Sequence, residues 1–432
     1  MRKYFTIENL YRFLLFSFIL SLCFFHGKVL ATGQIRQVNS DFLTIQLYLA
    51  DCLLILVALI FYIYKRVLTP RLLIALLIGL GLWFIIPRGV NYNYYPIIRL
   101  IEYLACFYIF YHVVKRNFLY QTISFLGLIE SIIGITQFHL KHSIGLHWFG
   151  EPIFTTSTFG IAKIDLANGL KLVRAYGTFS HPNSLGAFLV IALAFTTYLI
   201  FTKKQPIYYL NLFIILLGIV VTFSRSAILA AIVFIIGTLT LLSVKKITEK
   251  RELSLFSLVI VAAIIVSFVS YGTYLHSRAT IQDNATALRV QYDKDGIEIG
   301  KQHSLFGVGY GNVIYSINKI IPANQPAWMI QPPHNYLIIV SDETGLIGLG
   351  LFIALILYIF NSYRKNLSSF AKIGDPIEIV ILFWLLIALL ALMQFDHYFY
   401  DIPLMALMFW SVLGIISGAA DRNLEHGPMV QW

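Results

Sequence analysis

Charged residues are scarce in this chain: they make up 12% of its 432 residues, whereas hydrophobic residues make up 58%. A soluble protein of this length would carry about twice that share of charged residues. The apolar residues fall in runs of roughly 17–25, the length that an α-helix needs to cross about 30 Å of hydrocarbon. The short alternating segments of a membrane β-barrel are not seen. The composition therefore predicts an all-α polytopic membrane protein.

Cysteine is also rare, and each of the three residues, Cys23, Cys52 and Cys106, lies in an apolar run. We therefore expect no disulfide in an exported loop. The net charge of +11 is distributed over many short connections. No dense basic stretch interleaved with aromatic residues is present, which excludes nucleic acid as a partner. No internal repeat is visible either, which weakens the interpretation as an inverted-repeat transporter.

The apolar runs predict about twelve membrane spans. They cover residues 11–30, 43–64, 71–87, 97–114, 118–137, 184–201, 207–223, 226–243, 254–271, 336–360, 376–394 and 402–418. Every second connection is short and basic, and both termini are basic too. Short basic segments stay in the cytoplasm, so the N- and C-termini are both predicted to be cytoplasmic.

Two of the alternate connections are long, and long loops are translocated whatever their charge. We expect spans one to nine in residues 1–271, with an outer loop at 138–183. Residues 272–335 then form a large extracytoplasmic loop between spans nine and ten. Residues 336–432 hold spans ten to twelve and a cytoplasmic tail. Within the large loop, the amphipathic stretch 285–302 predicts a helix on the membrane surface.

His334 stands where a polar segment turns into a long apolar run, in "QPPHNYLIIVSDETGLIGLG" (331–350). The proline pair before it ends any earlier helix, so the imidazole is predicted at the outer mouth of a span. With an ordinary pKa of about 6.5, it would accept a proton at neutral pH. The alternative is an interfacial histidine with a polar neighbour.

Arg225, in "VTFSRSAIL" (221–229), interrupts two apolar runs with almost no loop between them. A charge in hydrocarbon costs roughly 2.5–3.5 kcal/mol at mid-membrane, so this guanidinium needs a partner. That partner is either a lipid phosphate or a bound pyrophosphate, which suits a planar guanidinium. Arg289, in the predicted surface helix, precedes "HSLFGVGYGN" (303–312). The glycines there predict a tight turn rather than a nucleotide fingerprint, since no βαβ unit precedes them.

The segment "RAYGTFSHPNSLGAFL" (174–189) leads from a loop into a helix. Asn183 or Ser184 can cap that helix. Arg174 and His181 could face a site, although His181 is expected to be structural and Arg174 is alternatively a solvated loop residue.

Three further polar groups lie near the predicted outer rim or inside a span. Arg99 and Glu102 share one helix face and are expected to pair, although Arg99 could also meet phosphate. Asp51 is expected to face the bundle interior. In "QFDHYFYD" (394–401), Asp396 and His397 could line an acceptor side. Along the sequence, no cluster has metal-ligand spacing, and no Ser or Cys nucleophile stands beside a base.

Several of these motifs resemble those of the O-antigen ligase and polymerase superfamily (WaaL- and Wzy-like proteins). His334 and Asn335 are followed after nine residues by Gly345 and after two more by Gly348, which is similar to the family signature. The family's other motifs are matched, in chain order, by "GTFSHPN" (177–183), Ser224-Arg225, Arg289 before its glycine-rich turn, and "DHY" (396–398).

The resemblance implies a GT-C-type glycosyltransferase in the bacterial inner (plasma) membrane. It implies an undecaprenyl-diphosphate-linked oligosaccharide as donor and metal-independent chemistry without a cofactor, with inversion in the ligase branch. The acceptor would be a glycolipid, a glycan or a protein. His334 is interpreted as the base, and Arg225 and Arg289 as the diphosphate clamp. The further predicted substrate-binding residues are Arg174, Arg99, Asn335, Asp396 and His397.

Two other functions stay open. A Wzy-type polymerase or a protein O-oligosaccharyltransferase would share these motifs. A lipid-linked oligosaccharide flippase would instead place ionisable residues deep in the spans, along a translocation path. The ionisable residues of this chain concentrate at the predicted outer rim, which favours a transferase.

Overall fold

A computed structural model describes residues 6–25, 27–64, 71–85, 94–113, 116–166, 171–280, 284–368 and 375–425. This part of the chain is mostly helical. Its α-helices are α1 (Ile7–Ser21), α2 (Leu49–Tyr64), α3 (Arg71–Ile85), α4 (Tyr94–Tyr111), α5 (Asn117–Leu140), α6 (Pro182–Lys203), α7 (Pro206–Val221), α8 (Arg225–Val244), α9 (Lys250–Thr280), α10 (Asn284–Gln302), α11 (Val313–Ile320), α12 (Tyr336–Ser368), α13 (Pro376–Leu392), α14 (Tyr398–Asp401) and α15 (Pro403–Glu425). Two short 3-10 helices cover His147–Phe149 and Ala327–Met329.

Each of the twelve predicted apolar segments overlaps one of these helices. Within the described residues, six helices are long and apolar enough to cross a membrane: α5, α6, α8, α9, α12 and α15. Shorter apolar helices occupy Leu49–Tyr64, Leu73–Trp83, Pro206–Val221 and Pro376–Leu392. The chain is thus a helical multi-pass membrane protein, and the number of spans remains a prediction.

The expectation of an all-α chain is wrong for two short segments. β1 (Gly27–Ile35) pairs antiparallel with β2 (Val38–Tyr48), and β3 (Lys163–Asp165) pairs with β4 (Lys171–Val173). The first hairpin contains residues that hydropathy assigned to the end of span one and the start of span two. Hydropathy measures only apolar content, and the strands between α1 and α2 satisfy their backbone groups by pairing with each other.

Arg36 attaches the first hairpin to the large loop. It lies at the hairpin tip with φ 51°, and its guanidinium donates to the side chain and carbonyl of Asn318. The same group donates to the carbonyls of Ile321, Pro322 and Gln325. These acceptors include carbonyls at the end of α11, which a helix leaves without intrahelical partners. The hairpin is thereby held over the end of the bundle where the active-site candidates lie.

α6 and α15 form the centre of the bundle, since 94% of the most apolar window of each is buried. α6 packs against α5, α7, α8 and α13, and α15 packs against α4, α12 and α13. α9 is peripheral, with 22% of its window buried. We call the end of the bundle that carries the α5–α6 and α9–α12 connections the loop end. The ends of the central helices there provide a rigid frame for side chains.

α12 is broken at Gly345, where φ is 68° and ψ −177°. The break exposes carbonyls of Asp342 and Glu343, which accept hydrogen bonds from the N–H groups of Val308 and Gly309. A Cβ at residue 345 would lie 2.2 Å from the carbonyl oxygen of Leu305. Gly345 is therefore required because the loop backbone packs directly against it, and not only because of helix packing. Gly307, Gly309 and Gly311 all have positive φ, which confirms the predicted tight turn.

We expect Gly345→Ala to destabilise the protein strongly. At φ 68° and ψ −177° the backbone lies in a region that essentially only glycine occupies, which costs another residue about 1–3 kcal/mol, and the contact with Leu305 adds to that. Gly350→Ala is the matched control, since a Cβ there meets nothing within 4 Å. Thermal unfolding in detergent checks this: Gly345→Ala should melt several degrees lower, whereas equal melting temperatures for the two variants would contradict the steric explanation.

Candidate active site

A cavity of about 370 Å³ at the loop end contains the three predicted catalytic residues together. Arg225 reaches it from the first residue of α8, Arg289 from α10, and His334 from the connection before α12. The other lining residues are Asn183, Ser224, Ser226, Leu229, Arg278, Thr286, Val290, Asp293, Gln394 and Phe395. We call this the cationic cavity. Three arginines converge there, and Arg225 precedes Arg278 and Arg289 by more than fifty residues.

α10 supplies one wall of the cationic cavity. Its bounds confirm the helix predicted over 285–302. Asp293 accepts a hydrogen bond of 2.7 Å from the backbone N–H of His334, and the ring of Tyr292 stacks on the imidazole with centroids 5.4 Å apart. Arg225 donates to the hydroxyl of Thr286 at 2.8 Å. The helix thus fixes the positions of both His334 and Arg225.

His334 and His397 form a pair, with ring centroids 4.5 Å apart and planes nearly perpendicular. Nδ1 of His397 lies 2.8 Å from Oδ2 of Asp401, and its Nε2 lies 3.9 Å from Oδ1 of Asp396. The second carboxylate oxygen of Asp396 lies 3.6 Å from the guanidinium of Arg289. The predicted base, one clamp arginine and the "DHY" segment therefore form one contiguous group.

The pKa values of the two histidines are shifted in opposite directions. Burial, together with the positive charges of His397 and Arg289, lowers the pKa of His334 to about 3. Burial also acts to lower the pKa of His397, but Asp401 and Asp396 outweigh it and raise that pKa above its usual value. Burial acts to raise the pKa of Asp396, but the cations of His397 and Arg289 outweigh it and hold that pKa low. The pKa of His334 is thus lowered from the ordinary value expected from the sequence, and the pKa of its neighbour His397 is raised.

Arg174 does not line the cationic cavity, contrary to the expectation that it faces substrate. It is buried, and it donates to the carbonyl of Thr222 at 2.7 Å and to Oδ1 of Asn183 at 2.6 Å. Asn183 in turn donates to Oδ2 of Asp396 at 2.6 Å. The predicted cap by Asn183 is also wrong, because His181 caps α6 by accepting from the Asn183 N–H. Arg174 and Asn183 orient Asp396 instead.

Of the two remaining predicted residues, Asn335 lies at the edge of this group and Arg99 does not. Asn335 caps α12, since its Oδ1 accepts from the Leu337 N–H at 2.9 Å, and its amide reaches Gln394. Arg99 lies elsewhere, where it is bound to Asp51 at 2.6 Å and to Glu102 at 2.7 Å. Its predicted pairing with Glu102 is confirmed, and so is the inward orientation of Asp51, which is 2% exposed.

The fold assembles a group that could ligate a metal ion, which the spacing along the sequence did not show. His334, Asp396 and His397 each offer one ligand atom, and these atoms lie within 4.8 Å of one another. The three come from segments about sixty residues apart. A dication there would compete with the guanidinium of Arg289, which already faces Asp396. Electrostatics thus oppose metal binding in the protein without substrate.

Sequence reasoning missed four residues of the site: Arg278, Asp293, Asn183 as a link to Asp396, and Asp401. Arg278 lies beyond the predicted end of span nine at residue 271, and α9 continues to Thr280. Asp401 stands four residues after His397, which is one helical turn, and that spacing was the available signal.

Residues 210–353 match a family model described as O-antigen ligase. This match supports the predicted O-antigen ligase and polymerase superfamily. The matched range runs from α7 into α12 and contains Arg225, Arg289 and His334. Members are glycosyltransferase-like enzymes of glycan processing. The predicted superfamily is confirmed, and no curated protein matches the chain.

Proposed function

We propose that the protein transfers a glycan from an undecaprenyl-diphosphate carrier to an acceptor hydroxyl on the outer face of the plasma membrane. The observation that carries this proposal is the convergence of Arg225, Arg289 and His334 on one cavity at the loop end. A diphosphate needs fixed cations, and an attacking hydroxyl needs a base within reach. The cationic cavity offers both.

An apolar groove beside the cationic cavity suits the lipid part of such a donor. It has a volume of about 430 Å³ and lies between α7, α8 and α9. Leu229 lines the cationic cavity, and Ile228 and Ile232 of the same helix line the groove. On α9, Arg278 lines the cationic cavity and Leu275 lines the groove. A diphosphate in the cavity would therefore have its polyprenyl chain next to an apolar surface.

The proposed reaction is a direct displacement. The acceptor oxygen forms a bond to the anomeric carbon as the bond from that carbon to the phosphate oxygen breaks. The electron pair leaves with the lipid diphosphate, where Arg225 and Arg289 stabilise the developing charge with little reorganisation. The hydroxyl proton goes to His334. Because the donor's negative charge offsets the cations of His397 and Arg289, donor binding raises the basicity of His334.

Purified protein in detergent tests this function. It is mixed with a short undecaprenyl-diphosphate oligosaccharide and candidate acceptors, with and without chelator, and products are identified by mass. Equal turnover with and without chelator would support metal-independent transfer, and the product mass separates a ligase from a polymerase. Loss of turnover with chelator, restored by a divalent ion, would instead assign the His334–Asp396–His397 group to a metal. Movement of labelled donor across proteoliposomes without transfer would favour a flippase.

The pH profile follows from the lowered pKa of His334. A base with a pKa of about 3 is unprotonated at all higher pH values, so it imposes no loss of kcat/KM between about pH 5 and 8. An imidazole with the ordinary pKa of about 6.5 would cause a tenfold fall per pH unit below that value. Measurement of kcat/KM from pH 4.5 to 8.5 checks this. An acid limb centred near pH 6.5 would contradict a base with a lowered pKa.

A further inference from the structure

The short link between α7 and α8 contains a residue in an unfavourable backbone conformation. α7 ends at Val221 and α8 begins at Arg225, so three residues join the two helices. The middle one, Phe223, has a φ of 48°. This left-handed conformation is common just after a helix, but glycine normally occupies it. A bulky side chain rarely adopts it.

Phe223 differs from the other residues that share its backbone conformation. Among the residues that the structure describes, the other non-glycine residues with positive φ lie at the hairpin tip or at the end of a helix, and their side chains are polar: Arg36, Gln37, Lys141, Lys204 and Lys246. Phe223 is apolar and only 1% exposed. A strained backbone that tertiary packing maintains points to a function of that position.

The ring of Phe223 is held by an aromatic cluster. It packs on Phe138 of α5, with ring centroids 5.4 Å apart. Phe138 in turn contacts Tyr271 and Tyr274 of α9, at 5.5 and 5.8 Å. A change of Phe223 to negative φ would redirect its Cβ and withdraw the ring from this cluster. Burial of the ring therefore stabilises the left-handed conformation.

Hydrogen bonds fix the backbone on both sides of Phe223. The carbonyl of Thr222 accepts from the guanidinium of Arg174 at 2.7 Å, and the carbonyl of Val221 accepts from the Ala175 N–H at 3.1 Å. The N–H of Ser224 donates to the hydroxyl of Thr222 at 3.2 Å. The link is thus attached to the outer loop before α6 and has little freedom to move.

The conformation of Phe223 determines where α8 starts. Ser224 follows it directly and caps α8, since its hydroxyl accepts from the Ala227 N–H. Arg225 is therefore the first residue of α8, where it lines the cationic cavity and donates to Thr286 of α10 at 2.8 Å. A rotation at Phe223 would shift this guanidinium, and a displacement of about 1 Å can lower the rate of an enzyme about 10²-fold.

We infer that Phe223 is a positioning residue for the transfer reaction. Its left-handed backbone, held by its ring on Phe138, directs the guanidinium of Arg225 into the cationic cavity. This inference rests on the proposed function and extends it, because it assigns a role to an apolar side chain that does not line the cavity. Phe223 acts only through Arg225.

The first test compares Phe223→Ala with Phe256→Ala, the same truncation of another buried phenylalanine. Phe256 lies on α9 and packs on Phe201, near the end of α6 that is opposite the loop end. Phe223→Ala is expected to lower kcat/KM about tenfold or more, whereas Phe256→Ala should stay within twofold of wild type. Phe223→Leu keeps an apolar side chain on Phe138 and should retain most of the activity. Equal losses in the two alanine variants would overturn the proposal.

A double-mutant cycle distinguishes positioning from a general structural effect. In a protein that already carries Arg225→Ala, Phe223→Ala should change kcat/KM less than twofold, because the group that it positions is absent. Phe256→Ala should have the same small effect with and without Arg225. If Phe223→Ala lowered kcat/KM by the same factor in both backgrounds, Phe223 would not act through Arg225. If the alanine variants do not fold, Phe223→Leu takes their place in the cycle.

A measurement without substrate separates this inference from the transferase function. Because Arg225 donates to Thr286, its displacement should speed amide hydrogen exchange in the first turns of α10, at residues 284–292. Phe223→Ala and Arg225→Ala should speed this exchange equally, the double variant no more than either, and Phe256→Ala not at all. That pattern supports the positioning of Arg225 even if the wild-type protein transfers no glycan. Unchanged exchange in Phe223→Ala would reject the role of Phe223 and leave the transferase function standing.

Discussion

His334→Ala is expected to lower kcat and kcat/KM for glycan transfer about 10²–10⁴-fold, the usual contribution of a positioned general base. The imidazole has a lowered pKa, lines the cationic cavity, and is held by the Tyr292 ring and the backbone bond to Asp293. Removing it leaves the attacking hydroxyl without a proton acceptor while the diphosphate cations remain. Donor binding should therefore change little, and the loss should appear in turnover.

The control for this prediction is His303→Ala. His303 is an exposed histidine in the same large loop and does not line the cationic cavity. The His303→Ala variant should transfer glycan at the wild-type rate, and the two variants should melt at similar temperatures. A fully active His334→Ala protein would show that His334 is not the base, and His397 would become the next candidate. If both histidine variants lost activity equally, a general effect on the loop would be the explanation.

Arg289→Ala is expected to lower kcat/KM about 10²–10³-fold, comparable to the loss of one donor that stabilises transition-state charge. Arg225→Ala should have a similar effect, because both guanidinium groups face the cavity proposed for the diphosphate. The double variant should lose less than the product of the two single losses, since both residues act on the same leaving group. Arg289→Lys keeps the charge but loses the planar fork, so it should recover only part of the activity.

Lys294→Ala is the matched control for Arg289→Ala. Lys294 is an exposed cation of the same helix, α10, and does not line the cationic cavity. Its removal lowers the net charge equally, so a loss due only to long-range attraction of an anionic donor would appear in both variants and would fade with added salt. Equal losses in the two variants would argue against a direct contact between Arg289 and the diphosphate.

The helices of this protein were predictable because their cause is local. A run of about twenty apolar residues satisfies its backbone only as a helix in lipid, whatever surrounds it. Every predicted segment accordingly overlaps a helix. The hairpin 27–48 was missed because its strands pair with each other and are held by Arg36 binding carbonyls near residue 320. That contact spans more than 280 positions, and no local pattern encodes it.

The sequence by itself determined the membrane class, the superfamily and the identity of His334, Arg225 and Arg289 as candidates, because motif spacing and apolar length are properties of the chain. Only the tertiary structure lowers the pKa of His334, since Tyr292 and His397 pack against it from two other segments. It also decided that Arg174 orients Asp396 through Asn183 rather than facing substrate. Burial and partners are properties of the packed molecule, and they set both pKa and role.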